Sequence, residues 1–486
     1  MSKLKSLAGE TIIYGASTII SRLLAWLLMP FYIRTLDPEL FGGVTNIYSY
    51  IAVVLVLLTF GLETGYFRFV SEDNKDDLLK SLTTFISGIS ILFVLVVFVL
   101  IDPITNLIGN EFLIGSIFKY GAIIVSIDAI VSLPFADLRY RNLKLKYASL
   151  RLIQVLLNII LNVFFLVILP YLANNDVRWA DILFDPNNRL KYVFIANILS
   201  SGLIGVYFIP LIFTNSGKLV FHSLQPILKY STPIMIVGLF GMLIQNADKI
   251  LMLQLVPENA MKALGIYSAN YKIGVLMMLF IQSYRLAFEP FFFKEGKQNT
   301  SKDLYARILK YFVIFGIIIY VGVLLFLDVV NLFLLPEYYE GNIIIPFVLL
   351  GQLFFGIYYS LSLWYKLTDK TKYGAYISGF GAFTVIILNI VLVPKFGYLG
   401  AAISSFICFF LMMILSYFYG QKFYPINYPV KTIVLYILSG IVIVYLASLI
   451  TLNNNIFLLV IKGFIFVSYI GTILLLELKN FKKILR

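Results

Sequence analysis

The chain has almost none of the residues that build disulfides, metal sites or nucleophilic catalytic centres. It contains one cysteine, Cys408, and one histidine, His222, among 486 residues. One cysteine cannot form an intrachain disulfide, and no Cys/His cluster is present to hold a metal. The sequence also lacks a G-x-x-x-x-G-K-[ST] loop, so it contains no nucleotide-driven motor. We therefore expect no cofactor and no metal, and these absences argue against an enzyme.

Charge is scarce as well. Charged residues make up 13% of the chain and apolar residues 60%, with a mean hydropathy of +0.92, whereas a soluble protein carries about 25% charge. The apolar runs are too long for barrel strands, which alternate over about ten residues, and they fit helical spans of roughly 20 residues. The sequence therefore predicts an all-α polytopic membrane protein.

Hydropathy predicts about fourteen transmembrane helices. They are 10–33, 44–64, 81–101, 115–137, 150–172, 191–214, 232–255, 265–286, 310–334, 346–367, 374–393, 398–420, 431–452 and 457–477. An even number places both termini on one side, and Lys and Arg collect in the loops of that side and in the basic tail, which predicts cytoplasmic termini. The net charge of +13 then reflects topology, and we expect no nucleic-acid partner.

A sequence repeat predicts two equivalent six-helix lobes. Pro38-Glu39 and Ile47-Tyr48-Ser49 recur as Pro257-Glu258 and Ile266-Tyr267-Ser268, all at an offset of 219 residues. Both copies lie in the outer turn between the first and second span of a six-span block. We predict lobes at 1–214 and 215–420, followed by an appended helix pair and basic tail at 421–486. Transporters are often built from such repeats, with the substrate site between them.

The stretch from Gly241 to Glu289 carries charge where a lipid-facing helix would carry none. Asp248 and Lys249 lie on the first arm of a predicted helical hairpin, and Lys272 lies on the second. At about 1.5 Å per residue, Asp248 and Lys272 lie roughly 10 Å below the same membrane face. A charge there costs at least a few kcal/mol unless it is paired or faces water. Two alternatives stay open: an ion pair between the two helices, or the wall of a hydrated cavity for a charged substrate.

Other polar residues also fall inside predicted spans. Arg22 lies near the middle of the first span, and Asp128 lies at similar depth in the fourth. Gln154, Asn158 and Asn162 follow each other at i, i+4 and i+8, which places them in one stripe on a helix. The stripe is explained equally well by hydrogen bonds between helices and by a cavity wall that faces hydroxyl-rich cargo.

The chain resembles the polysaccharide and oligosaccharide flippases (Wzx type) of the multidrug/oligosaccharidyl-lipid/polysaccharide exporter superfamily. The resemblance covers essentially the whole chain. It is carried by the lobes with their appended pair and by three segments: the opening YGASTIISRLLAWLLMPFYIRTLDPELFG, NADKIL followed by GIYSANYKIG, and FGYLGAAISS at 396–405. These motifs are diffuse singly, and their order and spacing are distinctive together.

The resemblance implies that the protein moves an undecaprenyl-pyrophosphate-linked oligosaccharide across the bacterial inner membrane by alternating access, for surface polysaccharide synthesis. Membrane lipids and, within the pathway, a polysaccharide polymerase would be its other partners. Cations in the spans would offset the cost of desolvating the pyrophosphate, and acids would neutralise the empty cavity wall. The candidate substrate-binding residues are Arg22, Asp128, Gln154, Asn158, Asn162, Asp248, Lys249, Lys272 and Arg285.

Two other functions compete. An efflux transporter for drugs or cations belongs to the same superfamily, but it should present acidic groups, whereas the deepest charges here are mixed and lean basic. A membrane polymerase or glycosyltransferase would need a substantial outer loop, and every predicted loop is short.

Overall fold

The computed structural model describes residues 24, 28–108, 115–213, 217–220, 224–295, 301–368, 370–450 and 454–484. Within these ranges nearly every residue is helical and there is no β-strand. The all-α prediction is confirmed. The chain divides into two compact units, Met1–Ser268 with Ala382–Ala401, and Ala269–Gly381 with Ala402–Arg486.

The first unit contains the longer series of helices. In chain order they are α1 (Pro38–Thr59), α2 (Leu62–Phe69), α3 (Lys75–Val99), α4 (Ile101–Ile108), α5 (Gly115–Tyr140), α6 (Lys144–Val163), α7 (Leu169–Ala173), α8 (Arg178–Leu183), α9 (Leu190–Phe213) and α10 (Leu224–Leu255). A π-helical turn, Phe164–Ile168, joins α6 to α7. Helix α11 (Ala260–Tyr271) begins in this unit and ends in the second.

The second unit continues from the end of α11. Its helices are α12 (Val275–Glu295), α13 (Ser301–Leu325), α14 (Leu327–Val330), α15 (Ile345–Leu361), α16 (Leu363–Leu367), α17 (Lys372–Phe423), α18 (Val430–Ser448) and α19 (Asn455–Ile484). The part of α17 from Ala382 to Ala401 belongs to the first unit.

Local sequence signals explain where α1 begins and ends. The Asp37 carboxylate caps the helix by accepting a hydrogen bond from the Leu40 amide at 2.9 Å, and Pro38 occupies the first turn, where its missing N–H costs nothing. The helix ends at Phe60 and Gly61, which have φ values of 53° and 65°. Left-handed backbone of this kind stops a helix, so α2 starts as a separate segment.

Helix α17, with 52 residues, reverses direction within its length. Pro394 interrupts the helix and Gly397 has φ 55° and ψ −136°, which is not helical. A Cβ atom added to Gly400 would collide with the carbonyl oxygen of Leu392, although residues eight apart on a straight helix would be about 12 Å apart. The α17 segment therefore contains both predicted spans 374–393 and 398–420.

Eleven helices in the described part of the chain are long and apolar enough to cross a membrane. A pair bent by 43°, Ala260–Gly274 with Leu276–Arg285, makes up to twelve if it is counted as one span. The eleven include α17, which corresponds to two predicted spans. The predicted first span, 10–33, lies mostly outside the described residues. The total of fourteen remains a prediction.

Helices α1 and α11 cross with their backbones in contact. A side chain on Gly42 would collide with the carbonyl oxygen of Met261, and one on Gly265 would collide with that of Pro38. Met261 follows Gly42 by 219 residues, the offset of the repeat. Equivalent residues meet in this way where a twofold axis relates two repeats. The lobes at 1–214 and 215–420 nevertheless remain a prediction, because the compact units follow packing and divide the chain elsewhere.

In the second unit, polar contacts fasten α18 and α19 to α13 and the short α14. The Glu477 carboxylate of α19 pairs with Lys310 of α13 and accepts a hydrogen bond from the Tyr436 hydroxyl of α18 at 2.7 Å. Toward the other end of α19, Lys462 pairs with Asp328 of α14 at 2.6 Å. The segment predicted as an appended pair is thus tied to this unit through two ion pairs.

Candidate functional site

A buried charged cluster lies where α10 meets α11. The Lys249 ammonium lies 3.0 and 3.2 Å from the two carboxylate oxygens of Asp248 and donates to the carbonyl oxygen of Gln245 at 2.7 Å. The Tyr267 hydroxyl donates a hydrogen bond to the same carboxylate. Asp248 is 1% exposed and Lys249 is 8% exposed. Charges buried to this extent require pairing, because an isolated buried charge would be strongly destabilising.

The cluster is also attached to α1. The Asn46 amide donates to the backbone carbonyl of Lys249 at 3.1 Å, and its own side-chain carbonyl oxygen is buried without a hydrogen-bond partner among the described residues.

The sequence pattern of the hairpin suggested Lys272 as an ion-pair partner for Asp248. Lys272 belongs to the second unit. Sequence spacing missed Lys249 as the partner, since adjacent residues on a helix normally point in different directions. The long Lys249 side chain folds back along its own helix instead.

Lys272 lies at the break between the end of α11 and the start of α12. Residues Lys272–Gly274 form a single 3-10 turn between α11 and α12. Gly274 packs against the side chain of Val348, with room for no Cβ atom, and the hydroxyl of Tyr271 accepts a hydrogen bond from Gln352 at 2.9 Å. Interrupted helices in transporters often form substrate sites, because the break exposes polar backbone. The break gives Lys272 a position of that kind.

Arg285 lies one helix further along, in the middle of α12. Its guanidinium carbon is 3.7 Å from the centre of the Tyr359 ring, and the Lys366 ammonium is 5.4 Å from the same centre. Such cation–π contacts stabilise a charge without using its hydrogen-bond donors. Arg285 as a whole residue is half-buried.

The predicted polar stripe on α6 is hydrogen-bonded to α9 and to residues before α1. Gln154 donates to Ser201 at 3.1 Å and Asn158 donates to Ser200 at 3.2 Å. Asn162 donates to the Asn158 side chain at 2.7 Å and accepts from the Tyr32 hydroxyl at 2.9 Å. The contacts between helices that the first alternative requires are therefore present.

The stripe continues into a wider polar network in the same unit. Asp128 lies close to Ser201 and interacts with the charge of Arg151, whose guanidinium lies 3.8 Å from the centre of the Phe135 ring. Asn197 accepts from Ser201 at 3.2 Å and donates to the Tyr48 hydroxyl at 2.6 Å. The structure thus brings Asp128 together with the stripe, which the sequence analysis treated as separate features.

Arg22, which the sequence analysis proposed as a candidate, lies outside the described residues.

Several residues that complete these groups were not predicted from the sequence. The polar groups that complete the network and the charged cluster are Tyr32, Asn46, Tyr48, Arg151, Asn197, Ser200, Ser201 and Tyr267. One signal could have found two of them: Tyr48 and Tyr267 are equivalent residues of the repeat, and both hydroxyls bind a polar side chain inside the unit.

At the end of the first unit that contains the α5–α6 turn, the cationic side chains are paired with carboxylates. The buried Asp137 carboxylate accepts hydrogen bonds from Tyr66 at 2.7 Å and from Arg141 at 2.7 Å. Arg139 pairs with Glu63. A hydrogen bond from Lys75 lowers the pKa of Glu72 from its ordinary value. These cations all have carboxylate partners, so they hold the ends of α2, α3 and α5 together.

A family model described as polysaccharide biosynthesis protein matches residues 7–295. The matched segment is more than half of the chain. The chain belongs to this family. No curated protein sequence matches it.

Similar solved structures show which fold the chain has. The lipid II flippase MurJ in its inward closed conformation shares 17% identity over 98% of this chain and 100% of that chain, with a TM-score of 0.73. A multidrug resistance MATE family transporter of the MOP superfamily shares 12% identity over 85% and 94%, with a TM-score of 0.62. The Vibrio cholerae MATE transporter VcmN in its bent form shares 16% over 90% and 100%, at 0.53.

These similarities establish the fold of the MOP superfamily, as the resemblance predicted. The proteins matched here are a flippase and transporters, not enzymes. The fold alone does not choose between lipid-linked sugars and drugs as cargo, because both kinds of protein share it.

Proposed function

We propose that the protein flips an undecaprenyl-pyrophosphate-linked oligosaccharide across the bacterial inner membrane by alternating access. The exported oligosaccharide would enter surface polysaccharide, as O-antigen, capsule or exopolysaccharide. A polysaccharide polymerase and other proteins of that pathway would be its partners, and both termini would be cytoplasmic. The family supports the pathway, and the fold that it shares with a lipid II flippase supports the kind of movement.

The observation that carries the proposal is the basic character of the charges inside the predicted spans. Lys249, Lys272 and Arg285 lie within one continuous stretch of about 40 residues. The one acid that this stretch places inside a predicted span is Asp248, which is bound to Lys249. Cations would offset the large cost of moving a pyrophosphate away from water. A carboxylate that neutralises Lys249 in the empty protein would be displaced when the anionic cargo arrives.

The polar network around Asp128, Gln154, Asn158 and Asn162 would provide a second part of the route. Amide and hydroxyl groups match sugar hydroxyls, since both donate and accept hydrogen bonds. Arg22 is proposed as the cation of the first lobe by its depth in the predicted first span. The apolar tail of the cargo would stay in lipid throughout.

The test is transport by the purified protein in vesicles. Fluorescent undecaprenyl-pyrophosphate-linked oligosaccharide is supplied in both leaflets, and a membrane-impermeant enzyme or quencher reports on the outer one. We expect exchange between leaflets that depends on the protein, and loss of exchange in Lys272→Ala with the amount of folded protein unchanged. No protein-dependent exchange of any oligosaccharide carrier would refute the proposal.

Drug or cation efflux is the second candidate, because the fold is shared with MATE transporters. The same vesicles loaded with a cationic dye distinguish the two functions. Dye transport that needs Asp128 and Asp248 but tolerates Lys272→Ala would favour efflux.

A further inference from the structure

The second unit carries a group of cations that rest on aromatic rings. The Lys370 ammonium lies 3.5 Å from the centre of the Phe423 ring, Lys302 lies 4.7 Å from that of Tyr424, and Arg285 lies on Tyr359. We call these three cations with their rings the basic–aromatic rim. All three are within the distance at which cation–π attraction is significant.

The members of the rim lie together at one end of the unit. Phe288 of α12, Tyr305 of α13 and Leu363 of α16 form one apolar cluster, against which Tyr424 packs. Trp364 stacks on Phe423 at 5.5 Å and an angle of 24°. Helices α16 and α17 end here and α13 begins here, so the positively charged loops of the proposed cytoplasmic side begin at this level. Tryptophan and tyrosine favour the depth of the lipid headgroups.

The end of the first unit that contains the α5–α6 turn is built differently. There Arg139, Arg141 and Lys75 are each bound to a carboxylate. Among the residues that the structure describes, no carboxylate forms an ion pair with Arg285, Lys302 or Lys370. An ion pair uses up the N–H donors of a cation, whereas a ring holds the cation from one side and leaves its donors available.

From this difference we propose that the basic–aromatic rim binds the diphosphate group of a polyprenyl diphosphate lipid in the cytoplasmic leaflet. The inference rests on the proposed function and adds the place where the cargo is first bound. Guanidinium and ammonium groups are the side-chain groups that bind phosphate oxygens most strongly. The diphosphate linkage carries two adjacent negative charges and a phospholipid phosphate carries one, so several neighbouring cations favour the diphosphate.

The experiment measures binding to the full chain in nanodiscs of phosphatidylethanolamine, with undecaprenyl diphosphate as the probe. Trp364 serves as the reporter in a background of Trp26→Phe and Trp179→Phe, because it stacks on the ring that holds Lys370. The rim variant is Arg285→Gln with Lys370→Gln. The matched control is Lys75→Gln with Arg139→Gln, which removes the same charge from paired cations. We expect about a tenfold loss of affinity in the rim variant and little change in the control.

Three outcomes would overturn the proposal. They are unchanged affinity in the rim variant, equal losses in both variants, and displacement of the probe by phosphatidylglycerol at equal concentration. Uncharged undecaprenol provides a test on the unaltered rim: if it binds as tightly as the diphosphate, the rim does not recognise phosphate. If the protein binds the diphosphate tightly but does not flip the lipid, only the proposed function is refuted. If the protein flips the lipid and the rim variant binds the diphosphate with normal affinity, only the proposed binding site is refuted.

Discussion

Lys249 folds back on its own helix and pairs with Asp248, the residue that precedes it in the chain. The two charges neutralise each other at a depth where neither could remain alone. The relationship gives a direct way to separate a structural pair from a substrate-binding cation.

Neutralising Asp248 alone should destabilise the protein, because it leaves Lys249 buried without its counter-charge. Breaking a buried pair costs about 3–5 kcal/mol, so Asp248→Asn should lower the thermal midpoint and the amount of protein in the membrane. Fluorescence melting of the purified protein measures the first and immunoblotting measures the second.

The double variant, Asp248→Asn with Lys249→Gln, should recover the midpoint. If Lys249 binds the cargo, this variant should be folded but inactive in the vesicle assay. Recovery of both stability and transport would show that the pair is structural only.

The crossing of α1 and α11 should not tolerate a side chain at Gly265. An added Cβ atom would meet the backbone carbonyl of Pro38, and backbone atoms cannot move aside as a flexible side chain can. We expect Gly265→Ala to cost about 1–3 kcal/mol, measured as a lower midpoint in thermal unfolding.

Gly202→Ala is the control for this prediction. It also adds a methyl group to a helix of the first unit, but nothing lies within 4 Å of the new atom. Its midpoint should be unchanged or slightly higher, because alanine is the better helix former. Equal effects at both glycines would contradict the close crossing.

Two measurements, the thermal midpoint and the transport rate, show whether the polar stripe on α6 serves structure or transport. Hydrogen bonds between membrane helices are worth about 0.6 kcal/mol on average, so Asn158→Leu should lower the midpoint only slightly. Transport should fall severalfold if the stripe contacts sugar hydroxyls. The vesicle assay at matched protein amounts measures it.

Asn162→Leu with Tyr32→Phe removes both partners of one hydrogen bond at the end of the stripe and serves as the comparison. If transport falls in both variants only in proportion to the amount of folded protein, the stripe has a packing role and does not bind the cargo.

The predicted topology places the N-terminus in the cytoplasm. Cys408 is fully buried, so Cys408→Ala provides a cysteine-free background. A cysteine at Ser2 should react with an impermeant thiol reagent only after the cells are opened. A cysteine at exposed Glu337, in a predicted outer turn, should react in intact cells. The reverse pattern would invert the topology.

The sequence alone determined the all-α membrane class, most of the span positions and the charged hairpin. Long apolar runs leave few alternatives, because backbone groups in lipid must bond within their own helix. The same logic identified Asp248, Lys272 and the α6 stripe, since polar groups inside such runs are conspicuous. Helical spacing also put Gln154, Asn158 and Asn162 on one face.

Only the tertiary structure decided which polar groups meet. Lys249 became the partner of Asp248 through a side-chain rotamer, and Tyr267 reached the same carboxylate across the α10–α11 turn. Asp128 joined the stripe through Ser201 on α9, far away in the chain. The rings beneath Arg285 and Lys370 likewise come from other helices. Sequence periodicity fixes the face on which a residue lies, whereas the helix opposite that face is set by packing of the whole unit.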